Sequence, residues 1–381
     1  MADPGSRVAL GAGATPGNAG RTQRLVFFLS RVWAWAFLGL MVAFFVVTVP
    51  MASNGSVHFL TIRNSQNILV AITPVLLLGV GQTFVIIGKG IDLSVGWVMS
   101  LASVLSALAI RAAYNSGVPL FPSAVVGFAA AVGGACLVGF FNGVIIAKLK
   151  VPAFIVTLGS SFVVRGVSLL MSENTTVIGL PAGIRSYGND ALIYYIWGEG
   201  GGLYFLNRPD VTGDVLRRMD PILPYPVIVT AIVVAIAIFV LRKTQFGRHT
   251  YAIGGSLEAA IRAGIPVDRR IIQLYVLSAA TAGIAGFLST LRFTAGSAVI
   301  GDPLLLASIA AVIIGGVSLF GGAGTVIGTV IGALIIAVLT TGLVMLNVEA
   351  FWQFIVIGAV VIVAVLIDQS RDLIIGRART G

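Results

Sequence analysis

The chain alternates between long apolar runs and short polar connections, and this pattern predicts its secondary structure. About 20 apolar residues are what an α-helix needs to cross the hydrocarbon core of a bilayer. We assign spans to the ranges 25–49, 66–87, 92–110, 121–147, 153–171, 225–241, 271–291, 303–320, 325–346 and 351–367. The fold class expected is therefore all-α, a polytopic transmembrane helical bundle of about ten spans with broken helices.

Composition agrees with a membrane protein and leaves no room for a large soluble domain. Of the 381 residues, 57% are hydrophobic and 10% are charged, whereas soluble domains carry about 25% charged residues. Residues 1–24 are rich in Gly, Ala and Pro with scattered Arg, which predicts a disordered tail. The apolar run from Leu25 to Val49 is too long for a signal peptide, so we expect a retained span. The transmembrane domain then covers 25–368, and 369–381 form a second tail.

The distribution of basic residues predicts the orientation of the chain. Placing both termini in the cytoplasm assigns 16 of the 24 Lys and Arg residues to that side and seven to the outside, with Arg165 inside a span. Cytoplasmic loops of membrane proteins carry this excess. The net charge of +10 therefore reflects topology, and the dispersal of the basic residues argues against nucleic-acid binding.

The segment FVIIGKGIDLSVG, residues 84–96, places polar groups in strongly apolar surroundings. Asp92 and Ser94 lie between Gly90 and Gly96, and glycine permits a break in the helix. Within a bilayer, a break and a carboxylate are tolerated where protein or a water-filled cavity surrounds them. We therefore expect these four residues in a transport pathway or gate. Asp92 can also cap the helix that follows, and the two roles are compatible.

Other polar residues lie within the predicted spans. Single polar side chains there either hydrogen-bond neighbouring helices or line the pathway; the candidates are Gln82, Thr83, Asn142 and Thr157. For Arg165, in the outer half of its span, we favour snorkelling toward the outer headgroups. Cys136 has no partner for a disulfide, and the two histidines fall in loops, so we expect no metal site and no cofactor.

Two connections between spans are long. In the inner loop, residues 242–270, Ser256 can cap a helix over Leu257 to Ala263 that Gly264 and Pro266 end. The small residues of that helix suit a groove on another protein. The outer loop, Ser172 to Pro224, can carry short interfacial helices and is either a solvated cap or a docking surface for an external partner.

Four segments together resemble the permease subunits of bacterial ATP-binding-cassette importers for monosaccharides of the ribose, xylose and galactose type. They are GQTFVIIGKGIDLSVG (81–96), FFNGVIIAKLKVPAFIVTLGSSFVVRG (140–166), FGRHTYAIGGSLEAAIRAGI (246–265) and IAAVIIGGVSLFGGAGTVIGTVIGALI (309–335). The resemblance implies a multi-pass protein of the cytoplasmic membrane, a homodimer, an external sugar-binding protein and a separate ATPase subunit, so the chain itself is no enzyme. It also implies that the inner loop contacts the ATPase through Gly254, Gly255, Glu258, Ala259, Ala260 and Gly264.

Two alternatives to a sugar permease stay open from the residues. One is a related importer permease for branched-chain amino acids, a nucleoside or a polyol. The other is an ion-driven secondary transporter, which needs several acidic residues within its spans, where Asp92 is nearly alone.

Overall fold

The computed structural model describes the main chain of residues 16–198, 201–206, 208–349, 351–360 and 362–363, and within these ranges the side chains from Ala34 onward. Within these described residues, eight helices are long and apolar enough to cross a membrane. They are α1 (Pro16–Ala52), α2 (Ile62–Ile87), α3 (Val95–Asn115), α4 (Leu120–Lys148), α5 (Ala153–Met171), α8 (Tyr225–Lys243), α11 (Val267–Phe293) and α13 (Val326–Met345). The expected all-α polytopic class is confirmed.

Two of the predicted spans are shorter helices in the structure. The range 303–320 is represented by α12, Asp302–Ile314. Gly315 ends it and Gly316 follows in the left-handed region with φ of 80°, a conformation that favours glycine. The last predicted span contains a helix over Phe351–Val360, and its residues 364–367 lie outside the described part. The prediction of ten spans thus corresponds to eight long and two short apolar helices.

The N-terminal boundary differs from the expectation. Residues 16–24, which composition assigned to a disordered tail, are helical and belong to α1. The rest of that tail, residues 1–15, and the second tail, 369–381, lie outside the described residues.

Helices α2, α3 and α11 form the centre of the bundle, and most of their residues are buried. Helix α4 packs directly on α11 because glycines remove the side chains between them. A Cβ at Gly139 would lie 2.5 Å from the carbonyl oxygen of Tyr275, and one at Gly143 would lie 2.7 Å from the Cα of Ile272. Small residues permit this close approach of helices in membranes. By contrast, α1, α4, α5 and α8 expose large apolar faces.

The connection from Ser172 to Pro224 forms a small sheet, where the sequence suggested short helices alone. Strands β1 (Ile193–Ile196), β2 (Gly202–Phe205) and β3 (Met219–Pro221) are antiparallel in the order β2-β1-β3. Two short helices, α6 (Ile184–Asn189) and α7 (Asp214–Arg217), accompany them. The carboxylate of Asp220 accepts a hydrogen bond from the indole of Trp197 and pairs with Arg63 at the start of α2. We call this end of the bundle the sheet end.

The opposite end carries α9 (Gln245–Gly255) and α10 (Leu257–Arg262), and we call it the α10 end. The turn between α4 and α5 lies there too, since Lys148 and Lys150 both pair with Asp268 in the first turn of α11, at 3.3 and 2.7 Å. The 19 residues of α8 lead from the sheet end to the α10 end. The two long loops are therefore on opposite faces, as the span count predicts.

Candidate functional site

The site is built around a non-helical segment, residues 88–94, between α2 and α3, which we call the break. Its backbone closes the end of α2: Gly88 N donates to Phe84 O, and Gly90 N donates to Val85 O. Lys89 adopts a left-handed conformation with φ of 66°. Gly90 has no room for a side chain, because a Cβ would lie 2.6 Å from the hydroxyl of Tyr275. The glycines therefore let the chain reverse inside a packed interior.

The carboxylate of Asp92 lies at the centre of the break and is 2% exposed. Its Oδ1 accepts hydrogen bonds from the backbone N of Ser94 at 3.0 Å and from Ser94 Oγ at 2.6 Å. Its Oδ2 accepts from Ser278 Oγ of α11 at 2.8 Å. All three donors are neutral, and no salt bridge involves Asp92 among the described residues. A buried carboxylate of this kind depends on its hydrogen bonds for stability.

Four helices, α2, α4, α5 and α11, contribute further polar side chains to the break. Gln82 Nε2 of α2 donates to Asp92 O at 2.5 Å, and Asn142 Nδ2 of α4 donates to Ser94 Oγ at 3.1 Å. Thr157 Oγ1 of α5 and the Tyr275 hydroxyl of α11 donate to Ile91 O, at 3.3 and 3.4 Å. The break is thereby tied to α2, α4, α5 and α11. We call this set of hydrogen bonds the break network.

The structure brings most of the sequence-predicted pathway residues together, with two exceptions. Gln82, Asp92, Ser94, Asn142 and Thr157 belong to the break network. Thr83 faces the other way and shares a 2.5 Å hydrogen bond with Thr329 of α13. Gly96 contacts the α12 side, since a Cβ on it would lie 2.6 Å from Gly301 O. The network residues are buried.

The capping alternative for Asp92 also has a structural counterpart. The hydrogen bond from Ser94 N to Asp92 Oδ1 spans two residues and forms an Asx turn directly before α3. Sequence reasoning missed Ser278 and Tyr275, which lie far from the motif in the chain. Ser278 is one of several small polar residues in α11, and no local pattern distinguishes it.

A second polar cluster, also missed, lies between the break and the sheet end. Ser103 Oγ and Ser106 Oγ of α3 are each 2.9 Å from Thr290 Oγ1 of α11. Ser103 Oγ and Ser100 Oγ accept hydrogen bonds from Ser297 N and Gly301 N. These hydroxyls hold the non-helical segment 294–301 against α3. Their spacing of three residues on α3 was the available signal, because it puts them on one face.

Helix α10 agrees with its predicted start and differs in the surface that it presents. Ser256 Oγ accepts a hydrogen bond from Ala259 N, and Gly264 follows the helix with φ of 73°. Of the predicted contact residues, Gly255, Glu258, Ala259 and Gly264 are exposed. Ala260, 2% exposed, packs in its own chain against Ile253 and Val267. The exposed apolar side chains of α10 are instead Leu257 and Ile261.

Gly254, another predicted contact residue, is buried against its own chain. A Cβ on Gly254 would lie 1.7 Å from Ile87 O and 2.5 Å from Gly322 N, and Gly322 N donates a hydrogen bond to Ile87 O at 2.8 Å. The end of α9, the end of α2 and the loop before α13 therefore meet backbone to backbone. We call this contact the glycine junction, and it begins at the residue before the break.

Arg165 does not extend toward the headgroups at the sheet end, as the snorkelling interpretation required. Its guanidinium lies over the ring of Trp97, 4.7 Å from the ring centroid. Trp97 is in the first turn of α3, directly after the break. Side chains of a helix tilt toward its N-terminus, and α5 begins at the α10 end, so the guanidinium is directed into the membrane.

Comparisons with known proteins agree with this architecture. Residues 64–365 match the family described as "Branched-chain amino acid transport system / permease component". The chain is 36% identical over 367 residues to the xylose transport system permease protein XylH of Haemophilus influenzae, covering 88% of this chain and 94% of the relative. It is 35% identical over 336 residues to the ribose import permease protein RbsC of Bacillus subtilis, covering 88% and 92%.

The fructose import permease protein FrcC of Rhizobium meliloti is 35% identical over 302 residues, covering 79% of this chain and 76% of the relative. No solved structure matches the chain. The matched region contains the break network, the glycine junction and α10. The relatives are named as permeases, and the chain accordingly belongs to the family of membrane-spanning permease components of ATP-binding-cassette importers.

Proposed function

We propose that this protein translocates a monosaccharide across the bacterial cytoplasmic membrane as a homodimer, with ATP hydrolysis in a separate subunit. The observation that carries the proposal is the similarity, over most of the chain, to relatives named for xylose, ribose and fructose. The interior of the protein suits a neutral, hydroxyl-rich solute. Asp92 is held by hydroxyl, amide and backbone groups, and the second polar cluster consists of Ser and Thr side chains.

The alternative is a branched-chain amino acid, because the description of the matching family names that class. The three relatives reported above are named for xylose, ribose and fructose, and this favours a sugar.

Uptake by the complete transporter tests the proposal. The protein would be expressed with its ATPase and external binding protein in cells that lack their own importers of these sugars. We expect uptake of radiolabelled D-xylose, D-ribose or D-fructose that depends on all three components. L-Leucine should neither be taken up nor compete with the sugar. Leucine uptake without sugar uptake would refute the proposal.

We infer that the α10 end is cytoplasmic and that α10 contacts the ATPase. Leu257 and Ile261 are 45% and 58% exposed, and the neighbouring Glu258 and Arg262 extend into solvent. Leu257 and Ile261 border a cavity of about 700 Å³ whose other walls are Ile146, Lys148, Lys150, Ile265, Pro266, Val267, Asp268, Arg269 and Ile271. An apolar centre with a charged rim is the usual composition of a protein interface. With the ten spans that the sequence predicts, both termini are then cytoplasmic as well.

Cysteine labelling at position 258 tests the side of the membrane and the ATPase contact together. In a protein with Glu258→Cys and Cys136→Ala, we expect a membrane-impermeant maleimide to react in inside-out vesicles and not in intact cells. Bound ATPase should slow the reaction at least about fivefold, because an interface excludes water and reagent from its centre. Labelling from outside intact cells would contradict the topology, and equal labelling with and without ATPase would contradict the contact.

The sheet end is then extracytoplasmic, and we propose that it receives the sugar-binding protein. Its loop exposes the apolar side chains of Trp197, Leu203 and Phe205 and the basic side chains of Arg217 and Arg218. Aromatic and Arg side chains are enriched in protein interfaces. The ion pair between Arg63 and Asp220 connects this surface to the first turn of α2. The other end of α2 borders the break.

A further inference from the structure

Arg165 lies on a free side of α5 rather than against the bundle. The buried residues of α5 form one stripe, which consists of Val156, Thr157, Ser161, Val164 and Ser168. Arg165 follows Val164 and is exposed on one side of this stripe. Val163 precedes it and is exposed on the other side. The two neighbours of Val164 therefore point to opposite flanks of the same helix.

The guanidinium of Arg165 is deep in the membrane. With a rise of about 1.5 Å per residue, Arg165 is roughly 18 Å from the start of α5 at Ala153 and about 9 Å from its end. Its side chain then runs back toward the start, to the ring of Trp97. Trp97 is 7% exposed and fixed in the core. The charged group is thus held near the middle of a hydrocarbon layer about 30 Å thick.

The donors of Arg165 are unused in this conformation. A guanidinium has five N–H groups and no acceptor. Among the described residues, the ring of Trp97 is its contact, and no side chain or carbonyl accepts a hydrogen bond from it. Placing such a group against lipid costs at least about 2.5 kcal/mol on insertion scales. Its flank should therefore face water or polar groups.

A second exposed charge lies at a similar depth. Gly301 packs against Gly96, where a Cβ on Gly301 would lie 1.9 Å from Gly96 O, and Gly301 N donates to Ser100 Oγ. Asp302 comes next, in the first turn of α12, and is exposed. Helix α12 therefore starts beside the first two turns of α3, where Trp97 also lies. A cation and an anion are both exposed at this level of the bundle.

We propose that Arg165 lines the water-filled route and donates hydrogen bonds to hydroxyl groups of the passing sugar, with Trp97 holding its guanidinium in place. The ligand class is a neutral polyhydroxylated solute, and this assignment rests on the proposed function. Planar guanidinium groups suit adjacent hydroxyls because two parallel N–H groups point the same way.

Cysteine accessibility separates a route from a lipid-facing flank. In the Cys136→Ala background, Arg165→Cys and its matched control Val163→Cys would be treated with a small sulfonated methanethiosulfonate in vesicles of both orientations. The reagent needs a thiolate and hence water. We expect position 165 to react at least about tenfold faster than position 163, with D-xylose or D-ribose slowing it at least about twofold. Equal slow reaction at both positions would overturn the proposal.

Transport kinetics provide an independent measurement. Arg165→Lys keeps the charge and loses the planar fork, while Arg165→Gln keeps fewer donors. We expect sugar uptake to fall at least about tenfold in Arg165→Gln, with partial recovery in Arg165→Lys and normal membrane abundance in both. Normal uptake by Arg165→Gln would overturn the role. If wild-type protein takes up no sugar while position 165 reacts with the reagent, the proposed function fails. The inference that Arg165 faces water is then still supported. Sugar uptake with an unreactive position 165 refutes this inference alone.

Discussion

Replacing Asp92 by asparagine is expected to reduce sugar uptake at least about tenfold without preventing membrane insertion. Asparagine has the size of aspartate, and its oxygen can still accept from Ser94. Its amide cannot accept the hydrogen bond that Ser278 Oγ donates to Asp92 Oδ2 at 2.8 Å. Hydrogen bonds to a charged group contribute about 1.5–3 kcal/mol each, and neutral ones about 1 kcal/mol. The Asp92 carboxylate accepts three such bonds. Making all three neutral should weaken the break network by more than the roughly 1.4 kcal/mol that changes an equilibrium tenfold.

Comparison variants, a control variant and checks of assembly make this result interpretable. Ser94→Ala and Ser278→Ala each remove one hydroxyl donor to Asp92, and we expect smaller losses of uptake from them. Glu349→Gln removes an exposed carboxylate at the sheet end, outside the break network, and should transport normally. Immunoblots of membranes and co-purification with the ATPase check assembly. Full uptake by Asp92→Asn would leave Asp92 as a helix cap, and failure to insert would remove the evidence for a pathway role.

Replacing Gly254 by alanine is expected to disrupt transport, whereas the same change at Gly255 should be tolerated. The new Cβ at 254 would meet Ile87 O at 1.7 Å and Gly322 N at 2.5 Å, and both are backbone atoms. At 255 nothing lies within 4 Å of the added carbon. Overpacking costs typically about 1–3 kcal/mol, whereas alanine gains up to about 1 kcal/mol over glycine within a helix. The two neighbours in α9 thus form a matched pair.

Uptake, thermal unfolding in detergent and ATPase binding should be measured for both variants. For Gly254→Ala we expect at least about a tenfold loss of uptake and an unfolding temperature several degrees lower. For Gly255→Ala both quantities should remain close to wild type. If Gly254→Ala binds ATPase normally and still fails to transport, the glycine junction transmits motion from α9 to the break. Wild-type uptake by Gly254→Ala would show that the junction does not constrain the transporter.

The long apolar runs made most of the fold predictable. A stretch of about 20 apolar residues has one favourable state in a bilayer, because a helix satisfies its backbone hydrogen bonds internally. Short elements were less predictable. The length of α12 and the strands of the outer loop depend on helix ends and on loop packing, which carry weak local signals.

The sequence predicted the residues of the candidate site that lie in the motif 84–96, but it did not predict their partners on other helices. The sequence pointed to Asp92 and Ser94 because a carboxylate and two glycines interrupt an apolar region. It could not show that Ser278 donates to that carboxylate, nor that Thr83 faces α13 instead. It also assigned Gly254 to the ATPase surface and Arg165 to the headgroups, where the structure shows a backbone junction and a contact with Trp97.

By itself, the sequence determined the membrane-spanning class, the position of the break and the cap of α10 at Ser256, since these follow from runs of residues that are close in the chain. The tertiary structure decided which side chains meet: Asp92 with Ser278, 186 residues apart, and Gly254 with Ile87. The physical reason is that hydrophobic length and capping are local properties of the backbone. The partners of a buried polar group are decided by how the helices pack. Successive residues of a helix are rotated by about 100°, and this rotation decides whether a side chain faces the break network, the lipid or the sugar route.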